Sequence, residues 1–186
     1  LNPEESQVYY LRGLAFLHLG QYLRSIPYFD EAIRLNHLSP QALLGRAQAN
    51  SNIGQKSLAI EDLNQAIRLA PMDAKAYFNR ATIYFKLKQY KSVISDLSQA
   101  VQLNPYFSDA YGLLGVAYGE LGQSQMAQAN YALARRTEGL LRKTHDLPEL
   151  VRIGPQNAEH YNLRGLAHLS IGRSQESIRD FNQALL

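Results

Sequence analysis

Arginine and aspartate recur together along this chain at one separation. Arg46 stands sixteen residues before Asp62, Arg80 sixteen before Asp96, and Arg164 sixteen before Asp180. Such pairing admits two chemistries: a guanidinium that holds a ligand, or an ion pair that fastens one segment to another. Where arginine gives way to Leu114, the aspartate is lost too and Asn130 takes its place. Joint loss favours the structural ion pair, because two partly buried charges each need the other.

Other chemistry is harder to assemble from these residues. The five histidines are His18, His37, His145, His160 and His168, and none has a second histidine four residues on. His168 occupies a place held elsewhere by Phe16, Tyr84 and Tyr118, so it reads as a core aromatic. The chain has no cysteine, which excludes disulfides and cysteine-based metal sites. No glycine-rich phosphate loop and no Ser, His and acid trio can be read. The segment therefore reads as non-enzymatic, with no catalytic residue, cofactor or metal expected.

The elements that position the Arg/Asp pairs follow from a repeat of 34 residues. Rows of that length begin at Ser6, Pro40, Ala74 and Ser108, with a fifth at Ala158 after an interruption. The twenty-seventh place is always alanine: Ala32, Ala66, Ala100, Ala134 and Ala184. The eighth is always small: Gly13, Ala47, Ala81, Gly115 and Gly165. The fifteenth is Gly20, Gly54, Lys88, Gly122 and Gly172. A fixed period of this length signals a stacked-repeat solenoid. Within a row the apolar places recur at helical spacing, as in Tyr77, Ala81 and Tyr84, then Val93, Leu97 and Ala100. Glycine between the two stripes suits the left-handed residue that ends a helix. Proline at Pro71, Pro105 and Pro155 closes a row where no helix can continue. Each row therefore predicts helix, tight turn, helix, turn. One such hairpin cannot bury its apolar faces alone and must stack on its neighbours.

The pattern resembles the tetratricopeptide repeat (TPR) family. The fifth row carries it as Tyr161-x-x-Arg164-Gly165-x-Ala167, then Gly172, then Ile178-x-Asp180-Phe181-x-x-Ala184. The resemblance implies an all-α, right-handed α-α superhelix, a TPR solenoid of about five helix–turn–helix repeats. Its repeats would be 6–39, 40–73, 74–107, 108–141 and an incomplete 158–186, with residues 1–5 as the tail of a preceding repeat. Residues 142–157 form an insertion, in which 147–153 reads as a short helix. Leu1-Asn2-Pro3 repeats the Leu103-Asn104-Pro105 row ending, so the chain reads as cut from a longer array with uncapped ends.

In the repeat family the first helix of each hairpin lines a concave face through places two, five, nine, twelve and thirteen. Carried onto this chain, those places give Tyr10 and Leu14 in the first row and Leu44 and Gln48 in the second. The third gives Lys75, Phe78, Thr82 and Phe85, the fourth Val116, and the fifth Asn162. Aromatic and apolar anchors beside amides suit a groove for a peptide or partner helix. Chaperone-binding members hold a C-terminal carboxylate with five polar places. Here those places are Tyr10, Leu14, Gly45, Lys75 and Asn79, and only Lys75 fits. That clamp is therefore not expected.

The expected function is a non-catalytic protein-interaction scaffold with a protein or peptide partner. Gly112 and Gly119 should leave a shallow strip on the same face. The net charge of +3 and the short basic cluster Arg135, Arg136, Arg142 and Lys143 fall short of a nucleic-acid footprint. No apolar run is long enough for a membrane span. Two other classes stay open: the substrate-recognition arm of a larger enzyme, such as a glycosyltransferase or kinase, and an assembly factor that self-associates through uncapped ends. The repeat style, with Arg-Gly in the first helix and Asp-Phe or Asp-Leu in the second, is similar to that of bacterial and especially cyanobacterial repeat proteins.

Overall fold

A computed structural model of the protein describes residues 3–145, 161, 165 and 174–184. Among these residues all regular structure is helical. The first hairpin is α1 (Pro3–His18) and α2 (Tyr22–Leu35), the second α3 (Pro40–Asn52) and α4 (Lys56–Leu69). The third is α5 (Ala74–Lys86) and α6 (Tyr90–Leu103), the fourth α7 (Ser108–Glu120) and α8 (Ser124–His145). A further helix, α9, covers Ser174–Ala184. From α1 to α8 each helix packs on the next, and α1 also meets α3, as α3 meets α5. The first helices of the first three hairpins therefore lie side by side.

Two boundaries differ from expectation or extend it. α1 begins at Pro3, three residues ahead of the first row at Ser6. Proline is tolerated at a helix start because the N–H it lacks would have no partner there. α8 runs on to His145, 22 residues in all. The short helix read over 147–153 lies outside the described residues.

The hairpin turns share one construction. Gly20, Gly54 and Gly122 have φ of 70°, 85° and 73°, and Lys88 occupies the equivalent place at 57°. The following N–H reaches back five residues at each: Gln21 to Phe16, Gln55 to Asn50, Gln89 to Tyr84 and Gln123 to Tyr118, all 2.9 Å. These are Schellman closures, which satisfy carbonyls the helix end leaves over. First helices are capped by side chains where the chain supplies them. Ser39 Oγ accepts from Ala42 N–H, and Asp73 Oδ1 from Lys75 N–H at 2.9 Å.

The small places work through a size match with the second helix. Phe29 is fully buried between Gly13 and Gly45. A methyl group at those two glycines would come within 2.7 Å and 2.5 Å of its ring. Gly115 similarly faces the Tyr131 ring, at 2.6 Å. Rows with Ala47 and Ala81 instead place the smaller Leu63 and Leu97 at the matching position, both buried. The core is therefore filled to constant volume from row to row, as close packing requires.

Candidate partner-binding cleft

The Arg/Asp pairs set the relation between the helices that line the cleft. Arg80 on α5 donates from Nε and Nη2 to the two carboxylate oxygens of Asp96 on α6, at 2.8 and 2.7 Å. Its Nη1 donates to Asn64 Oδ1 on α4 at 2.6 Å. Arg46 on α3 repeats this with Asp62 on α4, at 3.0 and 2.6 Å, and with Asp30 on α2 at 2.7 Å. Each guanidinium thus ties both helices of its hairpin to the second helix of the hairpin before. The fork geometry of arginine allows this; a lysine could not hold three fixed partners. The Asp62 and Asp96 side chains are only 7% and 8% exposed. Hydrogen bonding to Asp62 and Asp96 pushes the Arg46 and Arg80 pKa values above the usual arginine range, against burial, which lowers them.

Asn50 joins the second network, its amide donating to Asp62 Oδ2 at 3.4 Å. The first hairpin uses another device. Arg12 lies 4.8 Å above the Tyr28 ring, and Tyr28 stacks on Phe16, under Arg24. In the fourth hairpin Leu114 is buried, and Asn130 turns its amide to its own helix at Met126 O, 2.8 Å. In the fifth, Asp180 is buried, and Arg164 lies outside the described residues.

Between α1, α3 and α5 runs a cleft of about 440 Å³. It is lined by Tyr10 and Leu14, by Gln41, Leu44, Gly45 and Gln48, and by Asp73, Lys75 and Asn79. Five of the residues singled out in the sequence therefore meet here: Tyr10, Leu14, Leu44, Gln48 and Lys75. A second cleft of about 220 Å³ continues between α3 and α5, past Gln48, Asn79, Thr82 and Lys86. Tyr10 is half-buried against the Phe29 ring, and burial raises its phenol pKa. A separate hollow of about 290 Å³ surrounds Arg46, whose guanidinium is already engaged with Asp30 and Asp62.

Phe78, Phe85 and Val116 line neither cleft. Phe78 packs on Phe107 with ring centroids 4.7 Å apart, and Phe85 meets Tyr90 edge-on at 5.8 Å. Both rest on the core formed by Val93, Leu97 and Leu114. They are half-buried, so each has a packing role that the face assignment did not anticipate. A methyl at Gly112 or Gly119 would meet nothing within 4 Å beyond its own helix, so that stretch of α7 is bare. Asn162 lies outside the described residues. Gln41, at place two of the second row, also lines the cleft as its place implies, and Asn79, named only as a clamp place, completes it. Among the described residues no His, Cys, Asp and Glu cluster suits a metal ion, and no helix is long and apolar enough to cross a membrane.

Stacked helical hairpins joined by these turns define a helical-repeat solenoid. Family models described as tetratricopeptide repeat match residues 6–36, 74–107 and 97–129, and one described as TPR repeat matches 52–88. The chain belongs to the tetratricopeptide repeat family. No curated protein matches it. Among solved structures it is similar to a crystal structure of MamA, at 22% identity and TM-score 0.64, over 93% of this chain and 92% of that one. MamA from Desulfovibrio magneticus RS-1 is 19% identical with TM-score 0.67, over 97% and 93%. The first TPR of Spaghetti (RPAP3), bound to the HSP90 peptide SRMEEVD, is 21% identical with TM-score 0.64, over 66% and 97%. At these identities the likeness is one of fold.

Proposed function

We propose that the chain is a non-catalytic protein-interaction scaffold holding a segment of its partner in the cleft between α1, α3 and α5. One observation carries this reading: apolar Tyr10, Leu14 and Leu44 converge with Gln48, Lys75 and Asn79 in a single open hollow. Apolar anchors with a few placed polar groups are what a recognition surface uses. The similar fold of RPAP3 holds a peptide, which supports the mode of binding. All five places of the carboxylate clamp line this cleft, namely Tyr10, Leu14, Gly45, Lys75 and Asn79. Two of them are apolar here, so the hollow favours a side chain over a chain terminus.

The test uses a displayed library of random peptides, selected on the whole chain and then measured on Gln48→Trp. Gln48 is exposed and lines both clefts, so the indole blocks them without entering the core. Selected peptides should bind the variant at least about tenfold more weakly, as loss of a hot-spot contact would give, with thermal unfolding unchanged. Equal affinity on the blocked variant overturns the assignment.

A further inference from the structure

The two clefts share Gln48 and Asn79 and so form one trough. Its α5 wall presents Lys75, Asn79, Thr82 and Lys86, spaced i, i+4, i+7, i+11, which is one face of a helix. Its α3 wall presents Gln41, Leu44, Gln48 and Asn52. A lysine therefore stands at each end, separated along α5 by about 16 Å at 1.5 Å per residue. Both lysines are exposed, and among the described residues neither makes an ion pair. Asp73 is the only carboxylate on the walls, and its Oδ1 accepts from the Lys75 N–H in capping α5.

We propose that the trough takes an internal, extended, acidic segment of about five residues, with a carboxylate at each end and an apolar residue near the Lys75 end. This rests on the cleft being the binding surface. The length follows from the lysines: four extended steps of about 3.3 Å cover about 13 Å and keep both carboxylates on one face, and the long lysine side chains reach over the remaining few ångströms. The charge follows from two ammonium groups against one carboxylate, which leaves the lining of the trough net positive. The middle is lined by Gln48 and Asn79, whose amides can donate to and accept from the peptide groups of an extended backbone, and by Thr82, whose hydroxyl donates to Asn79 O and can still accept. The apolar residue fits over Tyr10, Leu14 and Leu44. The segment is internal because Lys75 is the one cation of the hollow, and apolar Tyr10 and Leu14 stand at two of the clamp's polar places.

Randomised decapeptides displayed between neutral linkers test this on the whole chain. Selected sequences should be enriched in Asp or Glu pairs four residues apart, with an apolar residue between. Their affinity should fall about tenfold on Lys75→Gln/Lys86→Gln, each exposed ion pair contributing up to about fivefold. It should also weaken as salt rises, since exposed pairs are screened. Neutral or basic selected sequences, or acidic ones that bind the double variant within about twofold of wild type, overturn the acidic assignment. If their binding still fails on Gln48→Trp, the cleft stands and only its proposed chemistry falls. Insensitivity to Gln48→Trp removes both. Moving the selected sequence to a free C-terminus should give no gain. A gain of about tenfold, the scale of a charge-assisted bond, would show that a chain terminus is held instead.

Discussion

Replacing Arg80 and Asp96 by the pair found in the fourth hairpin tests why arginine and aspartate travel together. Arg80→Leu leaves Asp96, 8% exposed, without the two charge-assisted bonds at 2.8 and 2.7 Å. Each such bond contributes about 1.5–3 kcal/mol, so the loss should be about 3–5 kcal/mol. Asp96→Asn is milder, at about 1–3 kcal/mol, because the amide oxygen still accepts one bond. The double variant Arg80→Leu/Asp96→Asn recreates Leu114 and Asn130. There the leucine is buried and the asparagine is satisfied by its own helix. It should therefore return to within about 1 kcal/mol of wild type, a coupling of at least about 3 kcal/mol. Urea unfolding of the four proteins, followed by circular dichroism, gives the cycle. Because a repeat array can open in parts, amide exchange across α4, α5 and α6 should show the loss centred there. A double variant no more stable than Arg80→Leu would refute the argument, as would an Arg80→Leu loss under about 1 kcal/mol, the scale of a surface pair.

Gly45→Ala should destabilise by about 1–3 kcal/mol through overpacking, since its methyl would sit 2.5 Å from a Phe29 ring with nowhere to move; thermal unfolding reads the loss. Lys88→Gly should stabilise by about 0.5–1 kcal/mol in urea unfolding, because Lys88 sits at φ 57° where the other hairpins have glycine. Phe78→Ala/Phe85→Ala should lower thermal stability by several kcal/mol, about 2 or more for each ring, because both pack on Phe107, Tyr90 and the core. An unchanged melting temperature would return these aromatics to the exposed face.

The sequence by itself determined the hairpin plan. Helix periodicity, the left-handed turn places and the 16-residue Arg/Asp separation are all short-range, and each follows from backbone geometry within one row. It also marked Tyr10, Leu14, Leu44, Gln48 and Lys75 as one kind of position. What it left open depends on how one hairpin lies on the next. That relation alone decides that Asp30 and Asn64 complete the arginine networks from the preceding hairpin. It decides that Phe29 needs glycine on both neighbours, at Gly13 and Gly45. It covers Phe78 with Phe107 while leaving Leu44 and Lys75 lining an open cleft. Side chains at equivalent places along the period meet different surroundings, because burial is a property of packed neighbours and not of position in the repeat.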